Sequence, residues 1–178
     1  MSQAWIPVPG TTTGRLVEAA LALFGANGYD SVSVTTIATQ AGVTTGSLYH
    51  HFASKSRLYA LVRADVEQRV LDRLEGARAA LPVGDPAQLA TVLLVGFDYL
   101  VSSGFTRLLS DEAPDHRDGA GEPDAVERLV RCSLGGDNDS LAAMIAAAWR
   151  NALQQASTGQ AAASQARHAF RTLLTGTR

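Results

Sequence analysis

Within seven positions, Thr45, Ser47, Tyr49, His50 and His51 place two hydroxyls, a phenol and two imidazoles around Gly46. Each can donate a hydrogen bond to a phosphate oxygen or a base edge without bringing a large charge. Leu48 and Phe52 lie four apart, so on a helix they share an inner face and leave the polar set outside. Such a set also suits an ordinary solvated helix face, and the neighbouring elements must decide between the two. Other chemistry is sparse. Adjacent histidines on a helix point about 100° apart, so His50 and His51 are poor joint ligands for one metal. His116 and His168 stand alone. There is no His-Glu-x-x-His, no phosphate-cradling glycine loop and no nucleophile elbow. Asp111 and Glu112 form a paired acid inside an acidic stretch, where solvation is the expected fate. Cys132 is the one cysteine, which excludes an internal disulfide and a cysteine-cluster metal site. It is expected to be a small buried apolar residue. No catalytic residue, metal site or cofactor is expected.

The elements that must position the polar set are short helices. Ser33 can cap a helix carrying Ile37, Ala38 and Ala41 on one face. Gly42 can take the left-handed conformation that ends it. Thr44 is the next cap candidate. A small residue at 38, a turn residue at 42 and an apolar anchor at 48 are what two helices crossing closely about a tight turn require. The spacing therefore predicts a helix-turn-helix.

Around it lie Leu16-Val17-Glu18-Ala19-Ala20-Leu21-Ala22-Leu23-Phe24, Gly28-Tyr29, Ile37-Ala38, Ala41-Gly42-Val43, Gly46 to Phe52 and Lys55. In this order and spacing, the stretch over about 15–61 resembles the N-terminal DNA-binding domain of the tetracycline-repressor (TetR) family of bacterial regulators. The resemblance implies an all-α fold with a three-helix head, a long connecting helix and a helical ligand-binding and dimerisation body. It implies that Thr45, Gly46, Ser47, Tyr49 and His50 meet the major groove of double-stranded operator DNA. Thr35, Thr44, His51 and Lys55 would meet the phosphates. Lys55 is the only lysine, and it opens a helix, where a cation opposes the helix dipole; a phosphate opposite it would account for that placement. Three positions depart from the family pattern. Ser56 replaces a usual acid, Ala53 a usual Pro or Gly, and Thr36 the capping-box acid, which predicts a weaker start to the second helix.

Composition agrees. With 178 residues, 46% of them hydrophobic, the chain can bury a sizeable core. The charge is uneven. Residues 1–60 carry Arg15, Lys55 and Arg57 against Glu18 and Asp30, a net of +1. Residues 111–139 carry nine acids against three arginines, a net of −6. The acidic part should face away from DNA, and the head should have low non-specific affinity. No signal peptide or membrane span is legible, which points to the cytoplasm.

The expected organisation is a flexible arm over 1–12, the helix-turn-helix domain over 13–56 and the body over 57–178. A long helix should run over about 54–80, some 39 Å at 1.5 Å per residue, and end before Pro82, Gly84 and the cap pair Asp85-Pro86. A mostly apolar helix over 86–103 should be buried. A short helix, an acid-rich loop over 111–122 and a helix from Pro123 to Gly135-Gly136 should follow. Two alanine-rich helices, about 140–156 and 160–174, should close the chain. They could complete the body or pair with a second copy, and the resemblance implies the homodimer. An unidentified, mostly apolar effector is expected between the long helix, the buried helix and the helix of Trp149. Phe97, Tyr99, Phe105 and Trp149 are its aromatic candidates, with Asp98, Arg107 and Asn151 as polar ones. The function so implied is a ligand-responsive transcriptional regulator, most simply a repressor on an inverted-repeat operator. The alternative is a helical interaction protein that binds a protein partner.

Overall fold

The computed structural model describes residues 10–82, 87–111, 125–134 and 138–176. Most of the arm over 1–12 lies outside them, as do Asp85-Pro86, most of the acidic loop with Glu112 and His116, Pro123 and Gly135-Gly136. Among the described residues there are nine helices and no strand: α1 (Thr12–Asn27), α2 (Val34–Ala41), α3 (Thr45–Phe52), α4 (Lys55–Ala80), α5 (Gln88–Ser103), α6 (Thr106–Ser110), α7 (Ala125–Leu134), α8 (Asp139–Ala156) and α9 (Gln160–Thr175). None of them is long and apolar enough to cross a membrane.

The cap chemistry explains the first four boundaries. Thr11, Ser33, Thr44 and Ser54 each accept a backbone N–H three residues on, from Gly14, Thr36, Ser47 and Arg57. Thr36 lacks a carboxylate, but its hydroxyl lies 2.7 Å from the Ser33 hydroxyl, so the start of α2 keeps a side-chain bridge. Gly42 is left-handed at φ 64 and closes α2 onto the carbonyls of Ala38 and Thr39. Ala53 ends α3 with φ 63, a conformation that glycine takes freely, proline cannot take and the Cβ of alanine makes costly.

α4 is the spine. Leu58, Val62, Val66, Val70 and Leu74 recur every fourth residue and are fully buried. At its start Tyr59 meets Phe24 and Tyr29 with ring centroids 5.0 and 4.9 Å away, tying the head to the body. Farther along, α5 crosses α4 at Gly96, where an added Cβ would fall 2.8 Å from Leu74 Cδ2 and 3.4 Å from Trp149 Cζ2. The missing side chain is what lets α4, α5 and α8 close up. α5 does reach solvent along Thr91, Val95 and Asp98. Cys132 is exposed rather than buried. The inward face of α7 is set by Val126, Leu129 and Val130, and residue 132 falls on the opposite side.

Candidate nucleic-acid interface

α3 is held on three sides. Leu48 is fully buried and Phe52 nearly so, fixing its inner face. Thr44 caps its start, sharing a 3.1 Å contact with the Ser47 hydroxyl. At its far end His51 Nδ1 lies 3.2 Å from Thr13 Oγ1 of α1. What remains outward is the set expected from sequence. Thr44, Thr45, Gly46, Tyr49, His50 and His51 are exposed and Ser47 is half-buried. Tyr49 is 54% exposed, a large ring with no packing role that explains it. Beside Gly46, an added Cβ would meet only Thr44 Oγ1, at 3.7 Å, so nothing inside the protein requires glycine there. Thr35 is exposed in the first turn of α2. The rings of His50 and His51 meet edge to face with centroids 5.2 Å apart.

Lys55 is engaged differently from the free phosphate contact expected of it. Its ammonium donates to the carbonyls of Tyr29 and Val32, both at 3.0 Å, and lies 3.9 Å above the Tyr29 ring. A cation at a helix start is thus neutralised by the loop before α2. A residue that the polar pattern does not single out takes the exposed position. Arg15 on α1 reaches to within 3.5 Å of where a Cβ on Gly42 would stand, at the turn between α2 and α3. Its sequence signal is simple: it is the only lysine or arginine before Lys55.

The seven residues expected to hold an effector do not form one site. Phe97 and Trp149 are core, each 1% exposed, and the Trp149 indole N–H donates to the Leu93 carbonyl at 3.0 Å. Asp98 lies on the solvent strip of α5 and accepts two hydrogen bonds from Arg167 of α9, at 2.7 and 2.8 Å. Those bonds hold the guanidinium above its ordinary pKa. At this exposure such a pair is worth no more than about 1 kcal/mol. Tyr99 carries the Arg73 guanidinium 3.6 Å above its ring. Phe105 and Arg107 belong to the junction between α6 and α1. Asn151 is exposed and accepts from Gln155. A hollow lies elsewhere, at the end of the body farthest along α4. It has about 780 Å³ between the end of α4, the start of α5, the end of α7, the start of α8 and the end of α9, and none of the seven lines it. Its signal in the sequence, the large apolar residues Leu141 and Met144 on α8 and Leu173 on α9 left outside the core, shows only once the helices are in register.

The arrangement is a helix-turn-helix with a polar, exposed second helix, mounted on an all-α body: the architecture of a DNA-binding regulator. Residues 16–62 match the family described as bacterial regulatory proteins, tetR family. The match covers the helix-turn-helix head and the start of α4, so the head is a domain of that family. It is 49% identical over 45 residues to the HTH-type transcriptional repressor KstR2 of Mycobacterium tuberculosis, covering 25% of this chain and 22% of that protein. It is 31% identical over 121 residues to the HTH-type transcriptional regulator AcrR of Shigella flexneri, covering 67% of this chain and 56% of that one. The chain thus spans between about a fifth and just over half of the length of these relatives. In fold it is similar to the fatty acid degradation regulator FadR from Bacillus halodurans, with a TM-score of 0.72 at 16% identity over 96% of this chain and 98% of that one.

Proposed function

We propose that this protein is a homodimeric, ligand-responsive regulator of transcription, acting in the cytoplasm as a repressor on an inverted-repeat DNA site. The observation that carries the reading is the outer face of α3. Thr45, Gly46, Tyr49 and His50 are exposed, with Ser47 half-buried beside them, on a helix whose inner face, cap and end are all fixed. Gly46 supports it further. Alanine would favour the helix by several tenths of a kcal/mol, so an open glycine suits close approach of something outside the protein. Thr35, Thr44 and His51 flank that face and would meet the phosphates, with Arg15 beside the turn as a cation for them. The dimer would form through α8 and α9, whose outward Ala147, Asn151, Ala161 and Gln165 are uncharged. A two-fold protein reads a two-fold site. An effector would release DNA by favouring the DNA-free arrangement of the two heads.

Selection from random duplexes tests the reading. The expected product is an inverted repeat. Tyr49→Ala should lower affinity for it, and Arg15→Ala should weaken binding to all sequences while lowering the salt slope by about 1. Ala147→Glu should give monomers in sedimentation. Ala146 is fully buried within the protomer and is no test of the seam. Failure to enrich any sequence would favour a helical protein-binding module instead.

A further inference from the structure

The hollow at the far end of the body has a composition that selects a ligand class. Among the described residues, five large apolar side chains are exposed, and three of them, Leu141, Met144 and Leu173, ring this hollow. Apolar surface gathered in one concavity marks a binding site more than a scatter of single residues does. A volume of about 780 Å³ falls inside the range of roughly 300–1,000 Å³ that takes small organic ligands. The polar groups are few. The Gln88 amide donates to the Arg78 carbonyl, and the Ser133 hydroxyl donates to the Leu129 carbonyl. Arg78 is the only formal charge among the described lining residues, and no carboxylate stands with it. Among the described residues its guanidinium makes no hydrogen bond or ion pair, and it is exposed at the rim.

We infer that this hollow binds an amphipathic anion, with an aliphatic or alicyclic body on Leu89, Met144, Ile145 and Leu173 and a single carboxylate on Arg78. A guanidinium receives a carboxylate through two parallel N–H donors, a geometry that a neutral hydroxyl cannot match. An ammonium-headed amphiphile would meet Arg78 as a like charge. The inference rests on the reading of the chain as a ligand-responsive regulator and assigns its effector a place and a chemistry.

The chain has two methionines, Met1 and Met144, so methyl-labelled methionine gives a two-signal spectrum with one reporter inside the hollow. Met144→Leu assigns it. The full chain is titrated with decanoate, decanol and decylammonium, and release of the selected DNA site is followed in parallel. Decanoate should shift the Met144 signal saturably and bind about tenfold more tightly than decanol, with decylammonium weakest. Arg78→Gln should erase that preference while leaving decanol unchanged, and Arg78→Lys should keep part of it. Equal affinity for acid and alcohol in the parent, a preference that survives Arg78→Gln, or no saturable shift with any probe would overturn the inference. So would a Met144 signal that ignores all three probes and follows protein dilution, since a second copy would then fill the hollow. DNA release by decanoate without a Met144 shift defeats this site but leaves the regulator reading intact. An Arg78-dependent shift without DNA release does the opposite.

Discussion

The two ends of the body are packed in opposite ways. Next to the head, α6 is pressed onto α1 so closely that a Cβ on Gly25 would fall 2.6 Å from the Gly104 carbonyl oxygen and 3.2 Å from Phe105 Cδ1. One on Gly28, at φ 77, would fall 2.7 Å from Asp111 Oδ2. Arg63 of α4 reaches across to donate to the carbonyls of Leu108 and Asp111, which satisfies the free end of α6. At the far end the helices splay around about 780 Å³ of open space, and Met144 is 69% exposed. α4 belongs to both ends. From Arg63 to Arg78 is fifteen residues, about 22 Å of one unbroken helix. A tight contact near the head transmits a displacement with little loss, and a loose far end is where a displacement can begin.

The strongest way to break this contrast is Gly25→Ala. Its clash is with backbone, which cannot rotate away, so the loss of stability should be about 3 kcal/mol or more. Met144→Ala should change stability by less than about 0.5 kcal/mol. Denaturant melts of the two variants decide it, and comparable losses would remove the contrast. Next in size is Lys55→Ala, which leaves the Tyr29 and Val32 carbonyls without their charged donor. We expect a loss of about 1–3 kcal/mol with an unchanged salt slope for DNA binding; a slope lowered by about 1 would instead restore the phosphate role. Ala53→Gly should act in the other direction. Relief of a positive φ outweighs the added chain entropy, for a gain of about 0.5–1 kcal/mol visible as a higher Tm.

The smallest effect at neutral pH is that of Tyr59→Phe. Among the described residues the buried Tyr59 hydroxyl has no partner in hydrogen-bond geometry, although the Arg63 guanidinium stands close to it. Burial raises its pKa above the ordinary 10.0, while the nearby Arg63 guanidinium pulls the other way. A raised pKa in the folded state favours the neutral phenol. The associated stability is fully present below pH 10 and is lost as the pH climbs through the folded value. Tyr59→Phe should therefore be near neutral at pH 7 and should melt less steeply than the parent above pH 10. Identical alkaline curves would mean that the hydroxyl is solvated.

The head was legible because its determinants are local. A capping hydroxyl, a left-handed glycine and apolar residues three and four apart all act within one or two turns, and the start of each helix from α1 to α4 follows from them. The outer face of α3 was legible for the same reason, since Leu48 and Phe52 define the inside without outside help. The body's site was not. Asp98 finds Arg167 across 69 positions and Trp149 finds Leu93 across 56, so residue type alone could not tell a pocket aromatic from a core one. Lys55 misled for a related reason: its partners are backbone carbonyls, which carry no residue signature.

The engagement of Lys55 has a practical chemical consequence. It is the only side-chain amine on the protein, and two carbonyls and an aromatic ring already hold it. Acylating reagents, amine-directed cross-linkers and amine-coupled sensor surfaces therefore find one side-chain target, half-shielded, at the base of the DNA-facing head. Any reagent that does capture it must first pull the ammonium off the loop before α2. A binding experiment that immobilises the protein through side-chain amines would loosen the head it sets out to measure, whereas attachment through the exposed thiol of Cys132 on α7 leaves the head untouched.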